Sequence, residues 1–272
     1  MTFERGDGAR VQPAPAGVDA VPADREAAAV GTPSLDALTQ GHAGPCRRLM
    51  SGKLTEPRHY GTGMSDVRHP VFARFFDGLS RLMEREVGQH RDELLAGLSG
   101  RVVEIGAGNG INFRHYPATV DEVVALEPEA YLRAKAEEAA RTAPVRVSVS
   151  DAAADPLPLE DAGCDGAVAS LVLCTVPDQA QALAELRRVL KPGGELRFME
   201  HVRAPSTRKA RLQERLDRSG IWPRLGGGCH CARNTVEAIE AAGFRVERVR
   251  NLDFGPSWVI TNPHVLGVAR VP

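Results

Sequence analysis

The sequence predicts an α/β fold in which strands and helices alternate to build a doubly wound sheet. A β-branched run at 102–105 leads into three glycines spaced two residues apart: Gly106, Gly108 and Gly110. This pattern is typical of a buried strand followed by a tight turn. Further short apolar runs alternate with helix-favouring segments along the rest of the chain. That order places helices on both faces of a mainly parallel sheet.

Composition excludes several classes of protein. The 272 residues are 43% hydrophobic and 25% charged, with a formal net charge of -1. A chain with so little net charge is not expected to bind nucleic acid. No apolar run approaches the ~18 residues of a membrane helix, so we expect no stable membrane insertion. The five cysteines are odd in number and irregularly spaced, which argues against a disulfide framework and favours a cytoplasmic location. The oligomeric state is not predicted.

Three segments are expected. Residues 1–63 are rich in Ala, Pro and Gly and predict a disordered tail. Residues 64–98 predict a helical segment, and 99–272 the α/β domain, with its core motifs at 102–200. Within the helical segment one apolar stripe recurs at helical spacing: Phe72, Phe75, Phe76, Leu79, Leu82, Met83 and Val87. We expect this stripe to pack on the core, with a lid over a pocket as the alternative.

The remaining strands and helices follow from local patterns. Apolar runs predict further strands at 123–126, 145–149, 166–173, 195–202, 244–249 and 264–271. A helix is expected to begin near Asn109 or Gly110, and another is expected at 129–141. Asp178 is a good N-cap for a third helix. Residues 203–232 predict a charged helix and then an irregular glycine-rich loop. Asn234 and Glu237 predict a capping box.

The glycine turn has a specific spacing. A dinucleotide fingerprint, G-x-G-x-x-G, would require glycine where Ile111 stands, whereas the third glycine is Gly110. Glu104 precedes the first glycine by two residues. Glu127 ends the second predicted strand about 20 residues after the turn, where an acidic side chain can accept hydrogen bonds from ribose hydroxyls.

This stretch resembles motif I of the class I S-adenosylmethionine (SAM) methyltransferases. The resemblance implies a Rossmann-like seven-stranded sheet with SAM as cofactor, and it places Glu104 near the amino acid end of SAM. It also implies that the glycine turn passes under the ribose and methionine of SAM. The other cofactor-binding positions that it implies are Ala107, Asn112, Pro128, Ala154, Asp155 and Leu171. At the adenine, Asp151 is the alternative to Asp155, and we favour Asp155.

The resemblance extends beyond motif I. The runs SLVLCTVPD, LAELRRVLKPGGEL, EHV, GGGCHC and NPHVLG resemble the branch that contains the thiol S-methyltransferases. It implies methyl transfer to a small-molecule acceptor such as a lipophilic thiol. Phe72, Phe75, Phe76, Trp222 and Trp258 would form an apolar pocket for it. An O- or C-methyltransferase of an aromatic or quinone-like metabolite is the alternative.

Two alternatives come from other classes of protein. A regulatory protein can bind SAM without turnover. A nicotinamide-dependent oxidoreductase would need the other glycine spacing, so the position of Gly110 argues against it.

Candidate chemistry on the acceptor side is sparse. Methyl transfer from a sulfonium needs alignment more than a catalytic triad. His201 follows the fifth strand and is the candidate general base, which a phenol should need more than a thiolate does. Cys229, His230 and Cys231 are adjacent, which is too tight for three ligands of one zinc ion, so no metal is expected. Cys174 is a candidate pocket residue, or simply a small buried side chain.

Overall fold

The computed structural model describes residues 70–253 and 259–272. The predicted tail at 1–63, the start of the segment 64–98 and Trp258 lie outside the described residues. Among the residues that are described, no helix is long and apolar enough to cross a membrane.

Seven strands form one sheet in the order β3-β2-β1-β4-β5-β7-β6. The strands are β1 (Gly100–Ile105), β2 (Val120–Leu126), β3 (Arg146–Ser150), β4 (Cys164–Ser170), β5 (Leu190–His201), β6 (Arg245–Asp253) and β7 (Pro263–Arg270). β7 runs antiparallel to both of its neighbours, and the other pairings are parallel. The structure therefore confirms the predicted doubly wound, seven-stranded sheet.

Helices cover both faces of this sheet. They are α1 (Pro70–Leu95), α2 (Ala130–Ala140), α3 (Gln179–Val189), α4 (Thr207–Ser219), α5 (Ile221–Leu225) and α6 (Thr235–Ala241). Alternate residues of β1 enter two separate apolar clusters: Val103 and Ile105 lie in one, and Val102 lies in the other. This alternation is expected of a strand that is buried on both sides.

Several boundaries differ from the predictions. The helix expected after the glycine turn is only a 3-10 turn, Phe113–His115, because Tyr116 is extended before Pro117. β4 ends at Ser170 rather than at 173 because Leu171 takes a left-handed backbone conformation, with φ +57°. The short helix α5 lies where an irregular loop was expected.

Of the two predicted N-caps, one is confirmed. Asp178 caps α3 by accepting from the Gln181 N–H at 3.0 Å. Asn234 makes no side-chain cap bond and instead donates to the Glu237 side chain at 3.0 Å. The predicted capping box is therefore wrong.

The apolar stripe predicted on α1 is wrong for three of its members. Phe75, Leu79 and Leu82 are exposed. The second half of α1 packs on the core through Leu94 and Leu95 among others. In the first half, the buried positions include polar residues, whose contacts are described below. Apolar spacing identified the helix, but it did not identify the face that the sheet covers.

This difference can be tested on one helix. Leu94→Ala removes a fully buried side chain and should lower the free energy of unfolding by about 2–5 kcal/mol. Leu82→Ala, at a position 77% exposed, should change it by no more than about 0.5 kcal/mol. Urea unfolding of both variants measures the contrast. Equal losses would mean that the packed face of α1 is assigned incorrectly.

Candidate active site

The glycine turn lies at the carboxyl end of β1. The Ala107 N–H donates to the carbonyl of Leu126 at 3.0 Å, which ties the turn to the end of β2. Gly106 has φ +58°, and a Cβ there would lie 2.3 Å from Cγ2 of Val172. Glycine is therefore required at this position both by its backbone conformation and by the close approach of the segment after β4.

Glu127 occupies the end of β2 beside this turn. Its Oε2 accepts from the Gly108 N–H at 2.8 Å, and its Oε1 accepts from the Glu129 N–H at 2.9 Å. The side chain is buried, and burial raises its pKa. Each of these carboxylate oxygens accepts one backbone hydrogen bond and keeps a second lone pair, which is the acceptor chemistry that a ribose diol requires. The residues present therefore fit the ribose of SAM.

Glu104 and Asn112 form a buried hydrogen-bond network at the two ends of the glycine turn. Glu104 accepts from the Asn112 side chain at 2.7 Å and from the Tyr116 hydroxyl at 2.8 Å. Arg91 of α1 donates to Asn112 at 2.5 Å. Burial raises the pKa of Glu104 to about 7 in spite of these donors. Both carboxylate oxygens are engaged by side chains of the protein, which the sequence did not indicate.

A polar cluster fixes the first half of α1 on the glycine turn. Asn109 donates through Nδ2 to Asp77 at 2.8 Å and to Ser80 at 2.9 Å. Tyr131 of α2 also donates to Asp77, at 3.3 Å. Burial raises the pKa of Asp77, but hydrogen bonds from Asn109 and Arg81 outweigh it and leave that pKa lowered. Sequence analysis did not single out Asp77, because a charged residue in an amphipathic helix is ordinarily expected on the face exposed to solvent.

Two stacked aromatic rings of α1 reach both glycine loops. Phe72 and Phe76 have ring centroids 6.0 Å apart. A Cβ on Gly108 would lie 3.4 Å from Phe76, and one on Gly227 would lie 2.2 Å from Phe72. The pair thus spans from the turn after β1 to the loop after α5. This arrangement favours the lid alternative for the first half of the helix, whereas the second half packs on the core.

The predicted adenine residues lie beyond β3. Ala154 packs partly buried against the core. Asp155 is exposed, whereas Asp151 directly follows β3 and pairs with Arg133 at 3.0 Å. The choice of Asp155 over Asp151 stays a prediction.

Glu200 holds the segment after β4. Its carboxylate is fully buried and accepts three backbone hydrogen bonds, from Val172, Leu173 and Cys174, at 3.0, 2.9 and 3.2 Å. Burial raises its pKa to about 7 against the effect of these donors. The left-handed Leu171 starts this segment and donates to Met199 at 2.7 Å. A charged residue directly after the buried pair Phe198 and Met199, near the end of β5, was the signal that could have identified Glu200.

His201 ends β5 beside two thiols. Its Nδ1 lies 3.5 Å from the sulfur of Cys174 and 3.5 Å from the sulfur of Cys229. The two sulfurs and the His201 ring nitrogen all lie within 4.8 Å of one another. The His230 N–H donates to the carbonyl of Cys174 at 2.7 Å and ties the loop after α5 to the segment after β4. The thiol of Cys231 turns away toward Asp217, at 3.5 Å.

The two thiols of this cluster differ electrostatically. A hydrogen bond to Cys229, together with burial, raises the pKa of Cys174 well above its usual range. The same hydrogen bond, together with His201 and Trp222, lowers the pKa of Cys229. Cys229 is therefore the sulfur that carries negative charge more readily. Sequence reasoning placed His201 on this edge but did not pair it with a cysteine.

A pH dependence follows from Glu104. Because folding raises its pKa from 4.5 to about 7, its contribution to stability is full below pH 4.5 and is lost as the pH rises through about 7. Between about pH 5 and pH 8, wild-type unfolding free energy should fall relative to that of Glu104→Gln. Urea unfolding at both pH values measures this, with the exposed Glu137→Gln as control. Parallel profiles for wild type and Glu104→Gln would contradict the assignment.

Comparison with known proteins identifies the family. A Methyltransferase domain model matches residues 103–198. Thiol S-methyltransferase TMT1B of Homo sapiens is 34% identical over 83% of this chain and 97% of its own length. The human enzyme TMT1A is 34% identical over 68% of this chain and 77% of its own length. The ubiquinone/menaquinone biosynthesis C-methyltransferase UbiE of Syntrophotalea carbinolica is 28% identical over 68% of this chain and 89% of its length.

Solved structures agree on the fold. The crystal structure of the [4+2]-cyclase SpnF has a TM-score of 0.56 and 20% identity, covering 74% of this chain and 94% of its own. The cofactor and the reaction follow from the family rather than from this fold likeness. The chain belongs to the class I SAM-dependent methyltransferases, in the branch that contains the thiol S-methyltransferases.

Proposed function

We propose that the acceptor is a small lipophilic thiol, methylated on sulfur. The geometry of the segment after β4 provides a place for such an acceptor. At Val172 it packs against Gly106 of the glycine turn, and at Cys174 it reaches His201. A small acceptor beside Cys174 would therefore lie next to the donor side. Relatives named thiol S-methyltransferases support the same acceptor class.

On the donor side, the bound cofactor supplies an already activated methyl group. The chain has to orient it and exclude water. We assign the ribose to Glu127 and the backbone turn at Pro128, and we assign Glu104 and Asn112 to bracing the turn near the amino acid end. The positions that we assign to the remaining contacts are Gly106, Ala107, Gly108, Gly110, Ala154, Asp155 and Leu171.

On the acceptor side, the first half of α1 supplies the apolar cover. Phe72 and Phe76 lie against the two glycine loops, and Trp222 lies in α5 beside one of them. Phe75, which the sequence also suggested for the pocket, is 63% exposed and points elsewhere. A pocket covered by aromatic rings favours an uncharged, lipophilic acceptor.

An aromatic or quinone-like acceptor is the second candidate. The match to the C-methyltransferase UbiE favours it. A phenol needs a base, and His201 at the end of β5 would fill that role.

We also propose a cytoplasmic location. The cysteines among the described residues are free, although the sulfurs of Cys174 and Cys229 are close together. Free neighbouring thiols fit a reducing compartment. Thiol trapping in intact cells tests this, and a disulfide found in situ would contradict it.

The donor site can be tested by calorimetry with SAM. Glu127→Gln leaves one acceptor where the carboxylate offers several, so the Kd for SAM should rise about 10- to 100-fold. Glu122→Gln, at the other end of the same strand, is the matched control and should bind as wild type does. Unchanged binding in a folded Glu127→Gln protein would place the ribose elsewhere.

The acceptor class can be tested with the full chain and SAM. We expect kcat/KM for small alkyl and aryl thiols to exceed that for phenols and quinols of similar size by at least about tenfold, because a thiolate forms near neutral pH. Mass spectrometry of the methylated product identifies the acceptor atom. Faster methylation on oxygen or carbon would support the second candidate and contradict the first.

A further inference from the structure

We propose that Cys174, His201 and Cys229 form a three-ligand zinc site whose open fourth position takes the sulfur of the acceptor. This inference rests on the proposed thiol acceptor. It assigns a metal to residues that the sequence did not bring together, at the edge of the sheet where the acceptor is expected.

The distances agree with tetrahedral coordination. Zinc lies about 2.3 Å from cysteine sulfur and about 2.0–2.1 Å from histidine nitrogen, so two such ligands of one tetrahedral ion are about 3.6 Å apart. Nδ1 of His201 is 3.5 Å from each of the two sulfurs. Both nitrogen-to-sulfur distances therefore already have the length that a zinc ion bound by these atoms requires.

The ligands are also held independently of any ion. Cys174 stands on the segment whose three N–H groups bind Glu200, and His201 is the next residue after Glu200. The Cys229 loop is tied to the same segment by the His230 N–H. These hydrogen bonds thus hold together the backbone segments that carry the three residues, which contributes to the preorganisation that a metal site needs.

The ligand set indicates a catalytic rather than a structural ion. Two cysteines and one histidine are ligands that zinc accepts, and catalytic zinc sites keep a fourth position open for water or substrate. Cys174 and Cys229 are buried, whereas His201 is partly exposed. Access for an acceptor is therefore from the histidine side of the cluster.

Coordination would activate the acceptor. A thiol bound to zinc is deprotonated, so R–SH binds as thiolate and its proton leaves to solvent. The thiolate sulfur forms a bond to the methyl carbon while the carbon–sulfur bond of the sulfonium breaks, with its electron pair left on the donor sulfur. The neutral thioether product is a weaker ligand and leaves the metal, so the cycle requires no oxidant or reductant.

The test measures zinc first and activity second. The full chain, purified under reducing conditions without chelator and equilibrated with Zn²⁺, should hold one zinc ion per chain by elemental analysis. Cys174→Ser, Cys229→Ser and His201→Ala should lose that zinc at least tenfold more readily on dialysis. Cys231→Ser is the matched control, since Cys231 lies two residues from Cys229 but faces Asp217. It should retain zinc. With Co²⁺ in place of zinc, the wild type should show thiolate-to-metal charge transfer, and the band should be about half as intense or absent in Cys174→Ser and Cys229→Ser.

The outcomes separate this inference from the proposed function. SAM binding should stay within about twofold of wild type in the cysteine variants, while thiol methylation falls with the zinc content. Full thiol methylation by zinc-free enzyme would overturn the zinc site and leave the thiol acceptor standing. Zinc bound by the three residues without any thiol methylation would overturn the acceptor role. A Cys174–Cys229 disulfide in place of zinc, or equal loss of zinc in Cys231→Ser, would overturn the site itself.

Discussion

The buried carboxylate of Glu200 relates the two halves of the site. Its three backbone hydrogen bonds fix the segment from Val172 to Cys174. One end of that segment packs on Gly106, and the other carries a thiol beside His201. Burial of this carboxylate is costly because it removes the charge from water, and it raises the pKa of Glu200 to about 7. In the site that we propose, the same three bonds would link the donor turn firmly to the acceptor edge, where methyl transfer depends on alignment.

The first half of helix α1 is attached to the glycine turn by directional hydrogen bonds, whereas its second half packs through apolar side chains. Asn109, within the glycine turn itself, donates to Asp77 and Ser80 of the helix. A displacement of the turn would therefore move the first half of the helix, and a displacement of the helix would move the turn. The helix in turn carries Phe72 and Phe76 across both glycine loops. The first half of α1 and the glycine turn thus form one connected unit, held by polar contacts, and in the site that we propose the two rings would exclude water.

Local sequence patterns predicted the features that short stretches of the chain determine by themselves. The sheet, the glycine turn and the place of Glu127 follow from β-branched runs, glycine spacing and strand ends. The contacts of Glu200, and of His201 with its two thiols, join residues 26 to 28 positions apart in sequence, and no local period encodes them. The error on α1 has the same origin: the spacing of Phe75, Leu79 and Leu82 fits a helix, but tertiary contacts decide which face is buried.

A fold shared with a [4+2]-cyclase shows that the sheet alone does not determine the chemistry. The specific claim is that donor and acceptor meet across the segment held by Glu200. A crystal structure of the full chain with S-adenosylhomocysteine tests it most directly. We expect ribose hydroxyls on Glu127 and the cofactor sulfur facing the side of Cys174 and His201. A cofactor whose ribose leaves Glu127 bonded only to backbone, or whose sulfur faces away from Cys174, would contradict it.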